Sequence, residues 1–586
     1  MSPLLNGGIN KSHGSSFCLV DEAGEPVYCA SEERFTRVKL QRGMPHQTYR
    51  YAAAHYSLDR APLAIARLGT RHRIRREFDY VRNSAKAGLY SPPLGGRLRE
   101  IVGLTVRKKL LRERELHRVS IDTKYFTGRR LDYAFDHHTC HMASAYYCSG
   151  LDDAIVVSVD GVGDLLSAVI GRGEGGRLWV THRFFQSEQI SGQAYEVVTA
   201  MLGFHPDKHP GKVTGLAAYA EPDPELVVDI DRWLRQQYIR GAARNWFHLI
   251  HTADADRQLQ RLREVRHSRF GRWSREEIAS AIQFILERDV TELIRRHAPD
   301  PERENIVLAG GVFANVKLNQ RVKDLGFKTI FVQPAMADEG TGLGAAILAA
   351  HRVQPFEPYR LKNVYLGPEF SDAEIRSTLE RAGRASERLV DGRLERRLAE
   401  LLHNGYIVAR FQGRMEFGPR ALGNRSILYH TKDVAANDWL NKQLQRSEFM
   451  PFAPVTLAEH ARDSYEGIGG AEHTAEFMTI TFDATPTMRS QSPACVHVDG
   501  TARPQLVRKE TNSSLHATLE HYHALSGISS LINTSFNMHE EPIICTPDEA
   551  VKAFEAANLD ALAIGDHLVI NESEEARARR ESSARA

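Results

Sequence analysis

The chain has 586 residues, which is long enough for two or three domains with separate cores. It carries 76 Lys and Arg against 74 Asp and Glu, and this near balance gives no overall reason to expect a nucleic acid or an anionic membrane as partner. The six cysteines form no C-x-x-C pair, which favours reduced thiols and a cytoplasmic protein. The N-terminus lacks the pattern of a signal peptide, and no apolar run approaches the roughly 20 residues that span a bilayer.

One stretch departs from the charge balance. Residues 71–130 hold 17 Lys and Arg against 6 Asp and Glu. The pattern is typical of a solvated helical insertion within a domain. A docking surface for an acidic partner or a phosphorylated substrate is the alternative interpretation.

The N-terminal half has the element pattern of an α/β domain. Short strands are predicted over 15–20 and 25–31, a buried strand that ends in a Gly-rich turn over 153–164, and two further strands of a meander over 165–184. Residues 274–298 predict a helix, because a Ser N-cap is followed three residues later by Glu and then by apolar residues at helical spacing. Residues 305–322 and 329–350 each predict a strand, a Gly-rich turn and a helix. Such turns place ligands at strand ends.

A proline-rich stretch predicts a linker over residues 352–366. We therefore expect one domain over 1–355, with 71–130 as its basic insertion, and a second α/β domain over 356–572. The charged tail, residues 573–586, has the composition of a disordered segment.

Three histidines in five positions, "HHTCH", are candidates for a metal site. On a helix, His137 and His141 would lie one turn apart on one face, whereas His138 would point about 100° away and would either support the ligands from behind or be structural. Asp160 and Asp338 each lie where a strand meets a Gly-rich turn and could supply oxygen ligands. Two imidazoles and two carboxylates would suit Fe(II) or Mn(II) better than a closed zinc site. The alternative is a half-buried helix whose histidines only form hydrogen bonds.

Three Gly-rich turns are candidates for binding phosphate or nucleotide, because backbone N–H groups at such turns favour anions. Lys212, which we expect in a loop before an Ala-rich helix, could neutralise a phosphate, and an ordinary surface lysine is the alternative. The candidate nucleotide-binding residues of the turns are Gly161, Gly163, Gly310, Gly311, Asn315, Glu339 and Gly340. No P-loop motif is present.

The C-terminal half is marked by arginines among glycines and hydroxyl residues. Arginine forks bind phosphate oxygens in a bidentate manner, and hydroxyls or amides complete such sites. Pairing of some arginines with Glu416 or Glu448 is the alternative. The candidate phosphate-binding residues are Arg414, Arg420, Arg425, Arg446, Arg503, Asn533, Thr534 and Ser535.

Several motifs, taken together, resemble the NodU/CmcH family of O-carbamoyltransferases, which includes TobZ-type antibiotic-modifying enzymes. They run from residue 8 to about residue 565 in the family's order, and include "GINKSHGSS", "DHHTCHMASAYYCSG", "VDGVGD", "PGKVTGLAAYA", "MADEGTGLGAA", "EFGPRALGNRSIL" and "NTSFNMHEEPI". The resemblance implies an N-terminal ASKHA, actin-like domain, similar to threonylcarbamoyl-adenosine synthases, and a C-terminal YrdC-like domain. It implies that carbamoyl phosphate and ATP, with Mg(II), form carbamoyl-adenylate in the second domain. The carbamoyl group then passes to an alcohol, a hydroxylated natural product or saccharide, in the first.

The resemblance also assigns roles to residues. The family's iron ligands fall on His137, His141, Asp160 and Asp338, and its carbamoyl-phosphate site falls on Arg446, Arg503, Thr534 and Ser535, with Arg420 nearby. His13 matches the acceptor-side base, but the family's neighbouring Asp is Gly14 here, so the role of that carboxylate is in doubt. Many members carry Lys where this chain has Leu444, and Lys442 is a candidate substitute. A homodimer is compatible with the resemblance.

Two other functions remain open at the sequence level. A tRNA threonylcarbamoylation enzyme would share both domain types and could use the basic stretch 71–130. The near-neutral charge and the motifs "EFGPRALGNRS" and "NTSFN" argue against it. A nucleotide-binding scaffold without activity is the second, and the intact ligand set and arginine cluster argue against that.

Overall fold

The computed structural model describes residues 5–66, 131–164, 166–185, 188–239, 255–444, 449–574 and 576. The basic stretch 71–130, Arg446 and most of the predicted tail lie outside these residues. An extended connection over residues 354–371 joins an N-terminal and a C-terminal half, both of mixed α/β structure. The predicted α/β class is therefore confirmed.

The first sheet of the N-terminal half has five strands in the order β3-β2-β1-β4-β5. Its strands are β1 (Asn6–Asn10), β2 (Ser16–Val20), β3 (Pro26–Ser31), β4 (Leu63–Ile65) and β5 (Tyr133–Ala134). The first three form an antiparallel meander, and β4 runs parallel to β1 and β5. The two strands predicted near the N-terminus are confirmed as β2 and β3.

The second sheet also has five strands, in the order β10-β9-β6-β7-β8. Its strands are β6 (Asp153–Gly163), β7 (Leu166–Glu174), β8 (Arg177–Phe185), β9 (Asn305–Ala309) and β10 (Thr329–Val332). The predicted meander is confirmed as β6, β7 and β8, while β9 and β10 run parallel to β6. The sequence predicts that β6 gives way to a turn at its glycines. In the structure the strand continues to Gly163, with an irregular register after Val159.

The described helices of the N-terminal half are α1 (Glu33–Thr36), α2 (His46–His55), α3 (His137–Ser149), α4 (Ser191–Met201), α5 (Pro210–Leu216), α6 (Pro224–Ile239), α7 (Ala255–Ser268), α8 (Arg275–His297), α9 (Val316–Lys323) and α10 (Glu339–Val353). The helix predicted over 274–298 is confirmed as α8, with the capping box formed by Ser274 and Glu277.

A pair of packed helices, α3 and α10, separates the two sheets. Helix α10 packs on β1 and β2 of the first sheet, and α3 packs on β6 and β9 of the second. Because apolar layers cover both sides, almost every residue of α3 is buried. The Asp136 side chain accepts a hydrogen bond from the backbone N–H of Thr139 and so begins this helix. Gly150, at φ 71°, ends it in the left-handed conformation that glycine adopts without strain.

The C-terminal half is built on an eight-stranded sheet in the order β11-β20-β19-β12-β13-β18-β14-β17. The strands are β11 (Glu387–Arg388), β12 (Val408–Phe411), β13 (Arg425–Tyr429), β14 (Ala453–Leu457), β15 (Phe482–Asp483), β16 (Thr501–Ala502), β17 (Gln505–Val507), β18 (Ser530–Ser535), β19 (Ala561–Ile564) and β20 (His567–Ile570). The short strands β15 and β16 pair separately.

The helices of this half are α11 (Asp372–Arg381), α12 (Arg393–His403), α13 (Ala436–Gln443), α14 (Ala461–Ser464), α15 (Glu472–Ala475), α16 (Pro486–Gln491), α17 (Ser513–Ser526) and α18 (Pro547–Ala556). Helices α12 and α17 pack together, and their leucines form one apolar cluster with residues of β12, β14 and β18.

The two halves share one buried apolar core, which contains Phe313 and Met336 of the first half and Phe452 and Ile480 of the second. Polar contacts also join them, since Arg34 donates a 2.7 Å hydrogen bond to the carbonyl of Gly418. Ends of elements from both halves therefore meet in a fixed arrangement. Among the described residues, no helix is long and apolar enough to cross a membrane.

Candidate active site and metal centre

The four predicted metal ligands converge on one point. His137 and His141 lie one turn apart on α3, and their Nε2 atoms are 3.1 Å apart. Asp160 of β6 places its Oδ2 at 3.2 and 3.3 Å from these two nitrogens. Asp338, directly before α10, places its Oδ1 at 3.4 and 3.6 Å from them. Three elements that are far apart in sequence therefore supply one group of nitrogen and oxygen donors.

These separations fit a single metal ion. Ligand atoms about 2.1 Å from a divalent ion lie about 3.0 Å apart at an angle of 90° and about 3.4 Å apart at the tetrahedral angle. Most of the separations between the imidazole nitrogens and the carboxylate oxygens fall within or close to this range. Two imidazoles and two carboxylates form a mixed donor set that suits Fe(II) or Mn(II).

The electrostatics of the group are dominated by mutual pairing. Burial opposes the charged form of His137, but the carboxylates of Asp338 and Asp160 outweigh it and raise its pKa well above the usual range. Burial would also raise the pKa of Asp338, yet the two imidazoles hold it well below the usual range. The carboxylates are therefore ionised at neutral pH, which is the state that binds a cation.

Two side chains beside the ligands, Ser12 and His138, have different roles, and only Ser12 contacts a ligand. Ser12 donates a 2.5 Å hydrogen bond to Oδ2 of Asp338, the oxygen that does not face the histidines. His138, predicted to support the ligands or be structural, lies 2.8 Å from the Ser158 hydroxyl and 3.1 Å from the carbonyl of Leu166 through its two ring nitrogens. The His138 side chain is fully buried, and burial lowers its pKa to about 3, so the ring is neutral. Both ring nitrogens are directed at Ser158 and Leu166 and not at the ligand group.

A cavity of about 580 Å³ lies beside the metal ligands and has walls from both halves of the chain. Most of the residues that the sequence singled out line it. From the N-terminal half these are His13, Asp160, Gly161, Lys212, Gly311, Asn315, Asp338 and Glu339, and from the C-terminal half Arg420, Arg503, Asn533, Thr534 and Ser535. Arg446 lies outside the described residues, and Lys442 is exposed on α13 and does not line the cavity.

Three of the predicted nucleotide-binding glycines, Gly163, Gly310 and Gly340, do not line the cavity. A Cβ atom on Gly163 would lie 2.0 Å from Cδ2 of His137, so a glycine here makes room for the metal-site imidazole. Gly310 has φ of 102°, and its Cβ would lie 2.2 Å from the carbonyl oxygen of Val159. The described structure thus gives these two glycines a role in close backbone packing.

Lys212 was predicted to lie in a loop, and this prediction is wrong. It lies in the first turn of α5, which begins at Pro210. Proline at this position favours helix initiation, because its φ is helical and its missing N–H would have no partner there. The Lys212 side chain is buried in the cavity wall. Asn315 also faces the cavity, but its amide donates to Gln283 Oε1 at 2.8 Å and its oxygen caps α9.

His13 lies in the cavity wall between a cation and an anion. Arg42 contacts both ring nitrogens, with 3.1 Å to Nδ1, and Asp207 Oδ2 lies 3.8 Å from Nδ1. Arg42 and Asp207 are themselves 3.5 Å apart. Gly14, where the family has Asp, has φ of 59°, which places this motif in a tight turn against Glu339.

Two of the candidate phosphate-binding arginines have structural roles instead. Arg414 donates to the carbonyls of Val27 and Leu366, and Arg425 is fully buried over the ring of Phe411. Burial lowers the Arg425 pKa to about 10, so it remains charged while it donates to the carbonyls of Gln412 and Gly413. The alternative of pairing with Glu416 is not observed for the described arginines, because Glu416 Oε1 accepts from the backbone N–H groups of residues 422, 424 and 425. Glu448 lies outside the described residues.

Glu196 of α4 is a cavity residue that the sequence analysis missed. The Glu196 carboxylate packs tightly against Gly161, the residue after Asp160. A Cβ atom added at Gly161 would lie only 2.9 Å from Glu196 Oε1. Burial raises its pKa well above the usual range, and the carboxylates of Asp207 and Asp160 add to the shift. No local motif surrounds it, and only the packing of α4 on β6 brings it to the cavity.

The sequence matches two family models over most of its length. The Carbamoyltransferase N-terminus model matches residues 6–347, and the Carbamoyltransferase C-terminus model matches residues 399–571. The nodulation protein NolNO of Sinorhizobium fredii is 29% identical over 96% of this chain and 82% of its own length. The 3'-hydroxymethylcephem-O-carbamoyltransferase of Streptomyces clavuligerus is 29% identical over 61% of this chain and 64% of its own length.

Among solved structures, component A of the (R)-2-hydroxyglutaryl-CoA dehydratase from Acidaminococcus fermentans superimposes with a TM-score of 0.32 at 13% identity. The match covers 60% of this chain and 98% of that one. The family itself rests on the sequence matches, which include one model over more than half of the chain and a named O-carbamoyltransferase. The chain belongs to the carbamoyltransferase family, and it is a transferase.

Proposed function

We propose that this carbamoyltransferase is an ATP-dependent O-carbamoyltransferase. It forms carbamoyl-adenylate from carbamoyl phosphate and ATP and transfers the carbamoyl group to a hydroxyl of a natural product or saccharide. The observation that carries the proposal is the shared cavity, which Arg420 and Arg503 of the C-terminal half line together with His13, Asp160 and Asp338 of the N-terminal half. Its volume of about 580 Å³ is in the usual range for sites that enclose a small molecule.

The proposed activation step uses the arginine side of the cavity. A carbamoyl group is a weak electrophile, because its nitrogen donates electrons to the carbonyl, so it needs a good leaving group. Water first releases phosphate from carbamoyl phosphate, and an oxygen of the resulting carbamate attacks the α-phosphorus of ATP and expels pyrophosphate. Arg420 and Arg503 would hold these polyanions, and the hydroxyls of Thr534 and Ser535 would orient them. Arg446 is the further candidate for this site.

The proposed transfer step uses the other side. The acceptor hydroxyl attacks the carbamoyl carbon, the bond to the phosphate oxygen breaks, and AMP leaves. The hydroxyl must lose its proton as it attacks, and His13 would accept it while Arg42 and Asp207 hold the ring. Lys212 would neutralise the phosphate that leaves. The nucleotide would lie along the turns that contain Gly161, Gly311 and Glu339.

We assign Fe(II), with Mn(II) as the alternative, to the group formed by His137, His141, Asp160 and Asp338, and Mg(II) to ATP. A divalent ion held there would supply Lewis-acid polarisation of a carbonyl or phosphate oxygen. The convergence of the four donors, of which Asp160 and Asp338 line the cavity, supports this assignment. We further propose that the N-terminal domain is ASKHA-like over 1–355 and that the C-terminal domain is YrdC-like over 356–572, as the motifs of both halves suggest.

The experiment uses purified protein loaded anaerobically with Fe(II) and supplied with carbamoyl phosphate and ATP. Pyrophosphate release and carbamoyl-adenylate, detected by mass spectrometry, are measured for the wild type, for Arg503→Ala and for Arg462→Ala. Arg462 is an exposed arginine of the same half that does not line the cavity. We expect both products with the wild type and Arg462→Ala and their loss with Arg503→Ala. Absence of adenylate from an enzyme that binds ATP and metal would contradict the proposal.

A further inference from the structure

Helix α4 has one partly exposed residue, Glu196, and this residue lines the cavity. The other ten of the helix's 11 residues are buried. Within the described part of the chain, the Glu196 carboxylate accepts no hydrogen bond. A largely enclosed carboxyl group without an internal partner is costly to maintain, and a bound molecule that donates a hydrogen bond would remove that cost.

The neighbouring residue of the helix, Tyr195, shows the contrast. Tyr195 also lines the cavity, but its hydroxyl lies 2.9 Å from Thr214 Oγ1 and 2.9 Å from Gln283 Oε1. The hydrogen-bonding capacity of Tyr195 is therefore used within the protein. The carboxylate of Glu196 remains for a ligand.

Close packing fixes the position of Glu196 beside a metal ligand. A Cβ atom on Gly192, in the first turn of α4, would lie 2.8 Å from the carbonyl oxygen of Asp160 and 2.9 Å from the backbone nitrogen of Gly161. The helix backbone thus contacts this peptide directly. Glu196 lies one turn later, and its Oε1 would be 2.9 Å from a Cβ atom on Gly161. The carboxylate is therefore held against the residue that follows the ligand Asp160.

Glu196 is also close to the candidate base. Among the charged groups, Asp207 has the strongest electrostatic effect on the Glu196 carboxylate, and the ligands Asp160 and Asp338 follow. Oδ2 of the same Asp207 lies 3.8 Å from Nδ1 of His13. An acceptor whose reacting hydroxyl reaches His13 therefore brings its neighbouring atoms toward Glu196.

We propose that Glu196 is a specificity-determining residue that binds a second hydroxyl of the acceptor, adjacent to the hydroxyl that receives the carbamoyl group. This inference rests on the proposed O-carbamoyltransferase function and assigns its acceptor to compounds with neighbouring hydroxyls. The oxygens of a carboxyl group accept hydrogen bonds whether or not the group holds a proton, and the second hydroxyl supplies the donor. A site built in this way rejects an analogue without that hydroxyl, because the carboxyl group is then left unpaired.

The test uses three matched alcohols as probes: vicinal cis-cyclohexanediol, its monomethyl ether and cyclohexanol. The ether keeps the second oxygen but has no proton to donate from it. Full-length protein loaded with Fe(II) receives carbamoyl phosphate, ATP and one alcohol, and kcat/KM for the carbamate product is measured by mass spectrometry. We expect the wild type to prefer the diol over the ether and cyclohexanol by about tenfold or more.

Variants of Glu196 should remove this preference. In Glu196→Ala the three alcohols should react with similar kcat/KM, whereas Glu196→Gln, whose amide still bonds a hydroxyl, should keep part of the preference. Glu174→Ala removes an exposed glutamate of the same half that does not line the cavity and should keep all of it. Circular dichroism checks folding. Glu196→Asp, which withdraws the carboxylate by one methylene and should reduce the preference, decides the question if Glu196→Ala does not fold.

Adenylate formation, measured in the same samples, separates the two proposals. A wild type that binds ATP and metal but forms no adenylate contradicts the proposed function, and the inference about Glu196 is lost with it. If adenylate forms, three results contradict the inference alone. These are equal use of the three alcohols by the wild type, an unchanged preference for the diol in Glu196→Ala, and no carbamoylation of any of them. A proportionate loss with all three alcohols in Glu196→Ala would show that the residue only supports the structure.

Discussion

Ser12 and Asp338 are joined by a 2.5 Å hydrogen bond that connects the turn after β1 to the metal ligand before α10. The bond occupies the Asp338 oxygen that faces away from the histidines, so the other oxygen is held toward His137 and His141. The "SHGSS" motif thus contributes to the metal centre through a residue that is not itself a ligand.

Replacement of this hydroxyl should weaken metal binding. Ser12→Ala removes the hydrogen bond to Asp338 and should lower the affinity for Fe(II) or Co(II) by about 10–100-fold, the usual effect of losing a hydrogen bond to a ligand. Ser15→Ala is the matched control, because the Ser15 hydroxyl donates to the carbonyl of Gly43 instead. Equal affinities for the two variants in a Co(II) titration would show that the bond does not position the ligand.

A methyl group at Gly163 should disturb the same site. In Gly163→Ala the new Cβ would overlap the His137 ring, so that the imidazole must move away from the other ligands. We expect at least a tenfold loss of Co(II) affinity, with secondary structure unchanged by circular dichroism. Gly469→Ala, at a glycine with open space around it, is the control and should bind as the wild type does.

Removal of the candidate base should separate the two steps of the reaction. His13→Ala should reduce carbamoyl transfer to any alcohol that the wild type modifies by about 10²–10⁴-fold, because the hydroxyl loses its proton acceptor. Pyrophosphate release should persist, since the proposed activation step uses the arginines of the cavity and not His13. Adenylate would then accumulate and be detected by mass spectrometry. Equal losses of pyrophosphate release and transfer would rule out a role confined to the second step.

Acid should weaken the contact that His473 makes between the two halves. Its Nε2 lies 2.8 Å from the carbonyl of Leu361, and its ring stacks on Phe331. Burial, and then the charge of Arg360, lower its pKa from 6.5 to about 4. The folded state therefore binds its proton less tightly than the unfolded state, so the stabilisation is present above pH 6.5 and is lost as the pH falls toward 4.

The measurement is the free energy of unfolding of the wild type and of His473→Gln, by denaturant titration between pH 7 and pH 4. The difference between them should shrink by up to about 3 kcal/mol over this range, because each pKa unit corresponds to about 1.4 kcal/mol. His521→Gln, on α17, is the control and should follow the wild type at each pH. A difference that does not change with pH would show that His473 does not supply this pH dependence.

Local patterns predicted the elements well, because they depend on neighbours in sequence. The capping residues of α8 and the apolar run of β6 are examples, since α8 lies where the sequence places it and β6 begins at the predicted residue, although it extends through its glycines. The candidate ligands could be chosen from their chemistry, but their convergence depends on the packing of α3, β6 and α10. Domain boundaries and the acceptor-side role of His13 stay predictions.

Other residues could not be judged from local sequence. Arg414 and Arg425 have the same glycine-rich surroundings as Arg420, yet only Arg420 lines the cavity, because the other two side chains turn toward backbone carbonyls. Glu196 lies in an almost entirely buried helix without any motif, and tertiary packing alone makes it a cavity residue. Long-range contacts decide such cases, and sequence spacing does not record them.

The origin of the metal ligands has a thermodynamic consequence. Asp338 precedes a helix that packs on the first sheet, whereas Asp160 belongs to the second, so one ion would be held by both sheets at once. Any sliding of one sheet relative to the other must change the ligand separations. A ligand that favours the sheet arrangement in which Asp160 and Asp338 both reach the ion therefore raises the affinity for the ion. The ion in turn favours that sheet arrangement by the same free energy. Metal affinity would then report the relative position of the two sheets during turnover.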